Sequence, residues 1–86
     1  MIIGKVTGSV VSTRKNENLV GSKFMIVETA FSGDKIVAVD NVGAGIGEYV
    51  LVATGSAARI GCGMETAPVD AAIVGILDDG KDVLDK

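Results

Sequence analysis

From Met1 to Thr13 the chain alternates. Ile2, Gly4, Val6, Gly8 and Val10 fall on one side, and Ile3, Lys5, Thr7, Ser9, Val11 and Thr13 on the other. A period of two predicts a strand. Glycines on its apolar side predict strong bending or close approach of another backbone, as at the corner of a small barrel. The polar run Arg14 to Asn18 reads as a loop, Lys23 to Phe31 as a second strand, Ser32-Gly33-Asp34 as a tight turn and Lys35 to Asp40 as a third strand, making a hairpin. After a glycine-rich loop, Tyr49 to Thr54 forms a fourth strand, and Ser56 is placed as the N-cap of a helical turn through Ala57, Ala58 and Arg59. An irregular stretch from Gly61 to Ala72 precedes a fifth strand, Ile73 to Leu77. Five short strands, one short helix between the fourth and fifth, and no alternation of strands with helices predict an all-β fold. The expected architecture is a small, closed or nearly closed antiparallel OB-like barrel in one domain over residues 1–86.

A core of that size cannot hide all the apolar surface present. Hydrophobic residues make up 48% of the 86 positions and glycines add 12 more, whereas the smallest domains bury only about 60% of their unfolded surface. Another copy of the same chain is the natural cover, so the composition predicts an oligomer. A membrane is the weaker alternative. The longest uncharged stretch, Tyr49 to Ala58, is about ten residues against the roughly 18 needed to span a bilayer, and no basic segment precedes an apolar one at the start. The net charge of −3, absence of Trp and presence of only Phe24, Phe31 and Tyr49 as aromatics leave neither a basic groove nor a row of stacking platforms, which argues against nucleic acid. Cys62 is the single cysteine and the chain has no His; the expectation is a reduced cytosolic thiol with no intramolecular disulfide and no zinc site.

Gly43-Ala44-Gly45-Ile46-Gly47 invites a phosphate-binding reading, but the spacing is G-x-G-x-G and a β-branched run follows it, where a dinucleotide fingerprint needs G-x-G-x-x-G opening a helix. Enzyme readings find no His, no G-x-S-x-G and no base partner for Ser56. Asp78 with Asp79, and Glu65 with Asp70, are carboxylate pairs whose simplest reading is solvated loop charge. Two non-enzymatic alternatives remain: an OB-type ligand-binding module, and a lipoyl- or biotinyl-like carrier presenting Lys35 beside a hairpin turn. The sequence Ser32-Gly33-Asp34-Lys35-Ile36 does not match the motifs of such carriers.

A more extensive pattern runs nearly the whole chain: Ile3-Gly4-Lys5-Val6-x-Gly8-x-Val10-Val11-Ser12-Thr13-Arg14-Lys15, Leu19-x-Gly21-x-Lys23, Val37-Ala38-Val39-Asp40-x-Val42-Gly43-Ala44-Gly45-x-Gly47-Glu48-x-Val50-Leu51-Val52, Gly55-Ser56-Ala57-Ala58-Arg59 and Asp70-x-Ala72-Ile73-Val74-Gly75-Ile76. In order and spacing it resembles the bacterial microcompartment vertex family, the EutN/CcmL pentamers. The resemblance implies an OB-like barrel that assembles into a cyclic homopentamer and caps the five-fold vertices of a polyhedral shell in the bacterial cytoplasm. It further implies hexameric and trimeric shell proteins as partners, a structural role without catalytic residues, metal or cofactor, and no part for nucleic acid or membrane. Ala57 stands where the family often has a second serine, and the segment Ile60 to Glu65 is individual to this chain.

A ring needs a heterologous contact whose rotation closes. Five copies of one loop then converge at the axis, where Gly43, Gly45 and Gly47 would permit close approach and φ > 0, with Ala44 as a small Cβ among them. Gly43, Ala44, Gly45, Gly47 and Glu48 are therefore expected at the axis and subunit interface. Gly55, Ser56, Ala57 and Arg59 are expected at a subunit or shell contact, with Glu48 a candidate partner for the Arg59 guanidinium. Arg14, Lys15 and Lys23 form a candidate shell- or cargo-facing surface.

Overall fold

The computed structural model describes residues 1–11, 23–61 and 70–78, with the side chains of 59–61 outside it. Five strands, β1 (Ile2–Val10), β2 (Lys23–Thr29), β3 (Lys35–Asp40), β4 (Tyr49–Thr54) and β5 (Ala71–Leu77), close into one barrel in the order β1-β2-β3-β5-β4, with α1 (Ser56–Gly61) between β4 and β5. The seams β1–β2, β1–β4, β2–β3 and β4–β5 are antiparallel, as expected. The fifth seam differs. β3 and β5 run parallel through the two pairs Val39–Ala72 and Asp40–Ile73, because the α1 crossover returns the chain to the end of β3 from which the loop to β4 departed.

The bend expected in β1 is present. Its register against β2 slips between Val6 and Gly8, leaving Thr7 as the extra residue of a bulge, which increases local twist and lets one strand serve two neighbours. Gly4 pairs with Thr29 on one side and Val50 on the other. A Cβ there would overlap Val27 Cγ1 and lie 2.8 Å from the Glu28 carbonyl oxygen, so the close approach predicted from the glycine is between β1 and β2.

Val6, Met25, Val27, Ala38, Ala44, Val50, Val52, Ala71 and Ile73 fill the barrel. Val39, Ala58 and Ala72 form a second, smaller cluster, in which α1 covers the outside of the β3–β5 seam. Consecutive residues of both strands are therefore buried: Ala38 inward and Val39 beneath the helix, Ala71 inward and Ala72 beneath the helix. Several boundaries move from the sequence-based reading. β1, read from the alternation of Met1 to Thr13, spans Ile2–Val10, and α1 runs past Arg59 to Gly61. β2 ends at Thr29 because Ala30, Phe31 and Ser32 belong to the turn, leaving Phe31 84% exposed. β5 begins two residues early, at Ala71. Gly55, at φ 67°, rather than Ser56, stands at the cap position of α1: its carbonyl accepts the Ala58 N–H at 3.1 Å, and Ser56 is the first helical residue.

Candidate assembly surface around the glycine loop

Residues 41–48 leave the end of β3 and cross to the start of β4 alongside the second half of β1. They are held there by two backbone bonds, Gly47 N–H to the Val6 carbonyl at 2.8 Å and Val6 N–H to the Glu48 carbonyl at 2.9 Å. The conformation is organised by Asp40, whose side chain is 1% exposed. Val42 N–H and Gly43 N–H donate to its Oδ1 at 3.0 and 3.2 Å, and Ala44 N–H donates to its Oδ2 at 2.9 Å. An alternation of backbone hand is one arrangement that turns successive N–H groups onto a single anion, and Gly43, at φ 82°, supplies a left-handed residue here. Lys23 Nζ lies 3.5 Å from Asp40 Oδ2 and donates to the Ala44 carbonyl at 3.3 Å. Further along, Gly45 N–H donates to Glu48 Oε1 at 2.6 Å, and Glu48 N–H donates back to the Gly45 carbonyl at 3.1 Å.

This network explains why the loop looks like a phosphate cradle in sequence and is not one. Its amide donors do converge on an anion, but the anion is the chain's own Asp40 carboxylate. It also reassigns the glycines. Gly43 and Gly47 have positive φ (82° and 95°), and an added Cβ at either meets nothing within 4 Å, so what the chain itself requires there is conformation. Gly45 does not have positive φ, and its Cβ would meet only Glu48 Oε1, the end of a long side chain, at 3.2 Å. Ala44, expected among the crowded residues at an axis, turns inward instead and is fully buried in the barrel core. The large apolar side chains that the loop displays are Val42 and Ile46, the latter 68% exposed; nothing in the spacing singled out Ile46. Gly43→Ala is expected to lower stability by about 1–2 kcal/mol through left-handed backbone strain, read as an earlier midpoint in urea denaturation.

The other sequence-derived positions separate. Gly55, Ser56 and Ala57 are exposed together at the entry to α1. Gly55 donates its N–H to the Asp70 carbonyl at 2.8 Å and borders a groove of about 520 Å³ with Ile2, Ile36, Val37, Thr54, Asp70 and Ala71. Glu48, proposed as a partner of Arg59, binds Gly45 N–H within its own loop. Arg14, Lys15, Glu65, Asp79, Cys62 and the Arg59 side chain lie outside the described residues. Lys23 is half-exposed, with its ammonium group directed to Asp40 and the Ala44 carbonyl. Lys35 is exposed at the start of β3, opposite Glu28. Among the described residues, no helix is long and apolar enough to cross a membrane.

Comparison with known proteins gives these features a context. The family model described as "Ethanolamine utilisation protein EutN/carboxysome" matches residues 1–78. The chain is 48% identical over 83 residues to the bacterial microcompartment shell vertex protein GrpN of Rhodospirillum rubrum, covering 91% of this chain and 93% of that one. It is 46% identical to the carboxysome shell vertex protein CcmL of Gloeobacter violaceus, covering 91% and 83%. Among solved structures it superimposes on an ethanolamine utilization protein, EutN, with a TM-score of 0.86 at 41% identity, covering 91% of this chain and 86% of that one. It superimposes on the GrpN pentameric microcompartment shell protein from Rhodospirillum rubrum with a TM-score of 0.82 at 47% identity, covering 91% and 94%. With the barrel, the crossover helix and the full run of matching residues in agreement, the chain belongs to the EutN/CcmL family.

Proposed function

We propose that the protein is a structural shell vertex protein: five copies close a ring that occupies the five-fold corners of a polyhedral bacterial microcompartment. The observation that carries this reading is likeness in both sequence and fold, over nine-tenths of the chain, to proteins described as shell vertex proteins and as a pentameric shell protein. The role is mechanical, not enzymatic, and places the chain in a microcompartment shell within the bacterial cytoplasm. Hexameric and trimeric shell proteins are its partners there, with neither nucleic acid nor membrane involved.

Two features of the chain support a heterologous contact. Exposed apolar side chains flank β3 on both sides: Val42 and Ile46 on the loop beyond Asp40, and Phe31 in the turn before Lys35 with Val37 in the first half of the strand. A ring requires two such unlike patches, one to give and one to receive. In this reading Gly43, Ala44, Gly45, Gly47 and Glu48 build the loop nearest the axis, with Ala44 acting from inside the barrel. The Gly55-Ser56-Ala57 entry to α1, with Arg59, makes a subunit or shell contact, and Arg14, Lys15 and Lys23 lie toward shell or cargo. Native mass spectrometry at micromolar concentration is expected to show a species of five times the 8.7 kDa chain mass. A monomer or dimer as the largest species overturns the proposal, and a monomer that retains oligonucleotide in a salt-sensitive manner points to a ligand-binding module instead.

A further inference from the structure

We infer that Asp40 is the positioning residue for ring assembly, holding the glycine loop in one preformed shape through its three backbone donors and the Lys23 bridge. The inference rests on the reading that this loop lies at the ring contact. Asp40 is a buried carboxylate at the last position of β3. Its own backbone is fixed by pairing with Lys23 on β2 and Ile73 on β5. It passes that rigidity to the loop by gripping three consecutive amides. Lys23 completes the clamp, since Ala44 is bound at its N–H by Asp40 and at its carbonyl by Lys23. The part so held carries Val42 and leads directly to Ile46, the exposed apolar residues of the loop.

A loop shape needed in every copy enters the ring constant once per subunit. Apparent affinity scales with the competent fraction, so a tenfold fall in that fraction lowers the constant for a five-membered ring by about 10⁵. For five-body association this raises the concentration of half-assembly about 20-fold. Loss of one hydrogen bond to a charged group is enough for a tenfold local change. Asp40→Asn removes at least one whichever way the amide is turned: NH₂ in place of Oδ1 faces the Val42 and Gly43 donors, and NH₂ in place of Oδ2 faces the Ala44 donor and the Lys23 ammonium group.

The test measures the assembly midpoint by sedimentation velocity over a dilution series, beside circular-dichroism melting and amide exchange. Asp40→Asn is expected to raise the midpoint about 20-fold and to speed exchange at Val42, Gly43 and Ala44 while β1–β2 amides keep their protection. Lys23→Met, which keeps the stem and loses the ammonium group, should shift it in the same direction by less, and reports on the clamp if Asp40→Asn does not fold. Val27→Ala, a fully buried core truncation on β2 whose strand partners are Val6 and Ile36 rather than Asp40 or Lys23, controls for stability alone. An Asp40→Asn midpoint no higher than that of Val27→Ala, compared at a temperature where both are folded, overturns the inference. Ile46→Asp separates the two layers of the argument. If it dissolves the ring and Asp40→Asn does not, Asp40 is not the positioning residue; if it leaves the ring intact, the loop is not at the contact and the reading beneath the inference fails.

Discussion

Gly4→Ala is expected to disable the barrel itself, destabilising it by about 3 kcal/mol or more. The added methyl overlaps Val27 Cγ1 and sits 2.8 Å from the Glu28 carbonyl oxygen. Val27 is fully buried, and a close-packed interior leaves little room for a displaced methyl. The Glu28 backbone cannot retreat without opening the β1–β2 ladder, in which Lys5 pairs with Glu28 beside Gly4 and Thr29. In a domain of this size such a loss lowers the melting temperature by roughly 12–24 °C, measurable by circular dichroism. A melting temperature within about 4 °C of the parent would show that β1 and β2 can part locally at this point without loss, contrary to the tight seam described.

The second large effect separates quaternary from tertiary structure. Gly45→Val should leave the barrel nearly intact, because Gly45 does not have positive φ and its Cβ meets only Glu48 Oε1. The cost within one chain is the Gly45 N–H to Glu48 hydrogen bond, about 1 kcal/mol. On the proposed reading that these loops converge in the ring, the same branched side chain appears there five times, at a cost of about 1–3 kcal/mol of overpacking at each contact. The expected result is a shift to smaller oligomers in native mass spectrometry while the β signature in circular dichroism is retained. Co-expressed hexameric shell proteins should then form elongated or open assemblies, since a closed polyhedron of hexagons needs five-fold corners. A stable ring that still closes shells removes Gly45 from any crowded contact.

These two glycines illustrate what a sequence can and cannot reveal here. Gly4 announces itself because it interrupts the apolar side of a period-two strand, and the structure finds a backbone packed against it. The third and fourth strands, Lys35–Asp40 and Tyr49–Thr54, were legible to the residue, each being an unbroken run between turn formers. Ala71 and Ala72 were not, since alanine carries little strand preference and their burial comes from the barrel on one side and α1 on the other. The direction of the β3–β5 seam was equally hidden, because alternation reports which face a residue occupies and not which way its neighbour runs. In the loop the glycines were visible but their division of labour was not. The inward turn of Ala44 follows no period, and the grip of Asp40 on residues two to four positions ahead depends on a fold those residues complete. An aspartate shortly before a glycine is the Asx-turn signal, and Asp40 with Gly43 is where it could have been read.

The parallel seam between β3 and β5 is the shortest in the barrel, two residue pairs against six between β1 and β2, and one of its two pairs involves Asp40. Tertiary closure and the loop's anchorage thus share a hinge. On the proposed reading that the ring contact holds this loop, linkage is reciprocal, so a neighbour that favours the loop shape set by Asp40 also raises the free energy of springing that seam. The joined subunit then opens more rarely at equilibrium than the free one, and a corner piece of a shell gains durability from being installed.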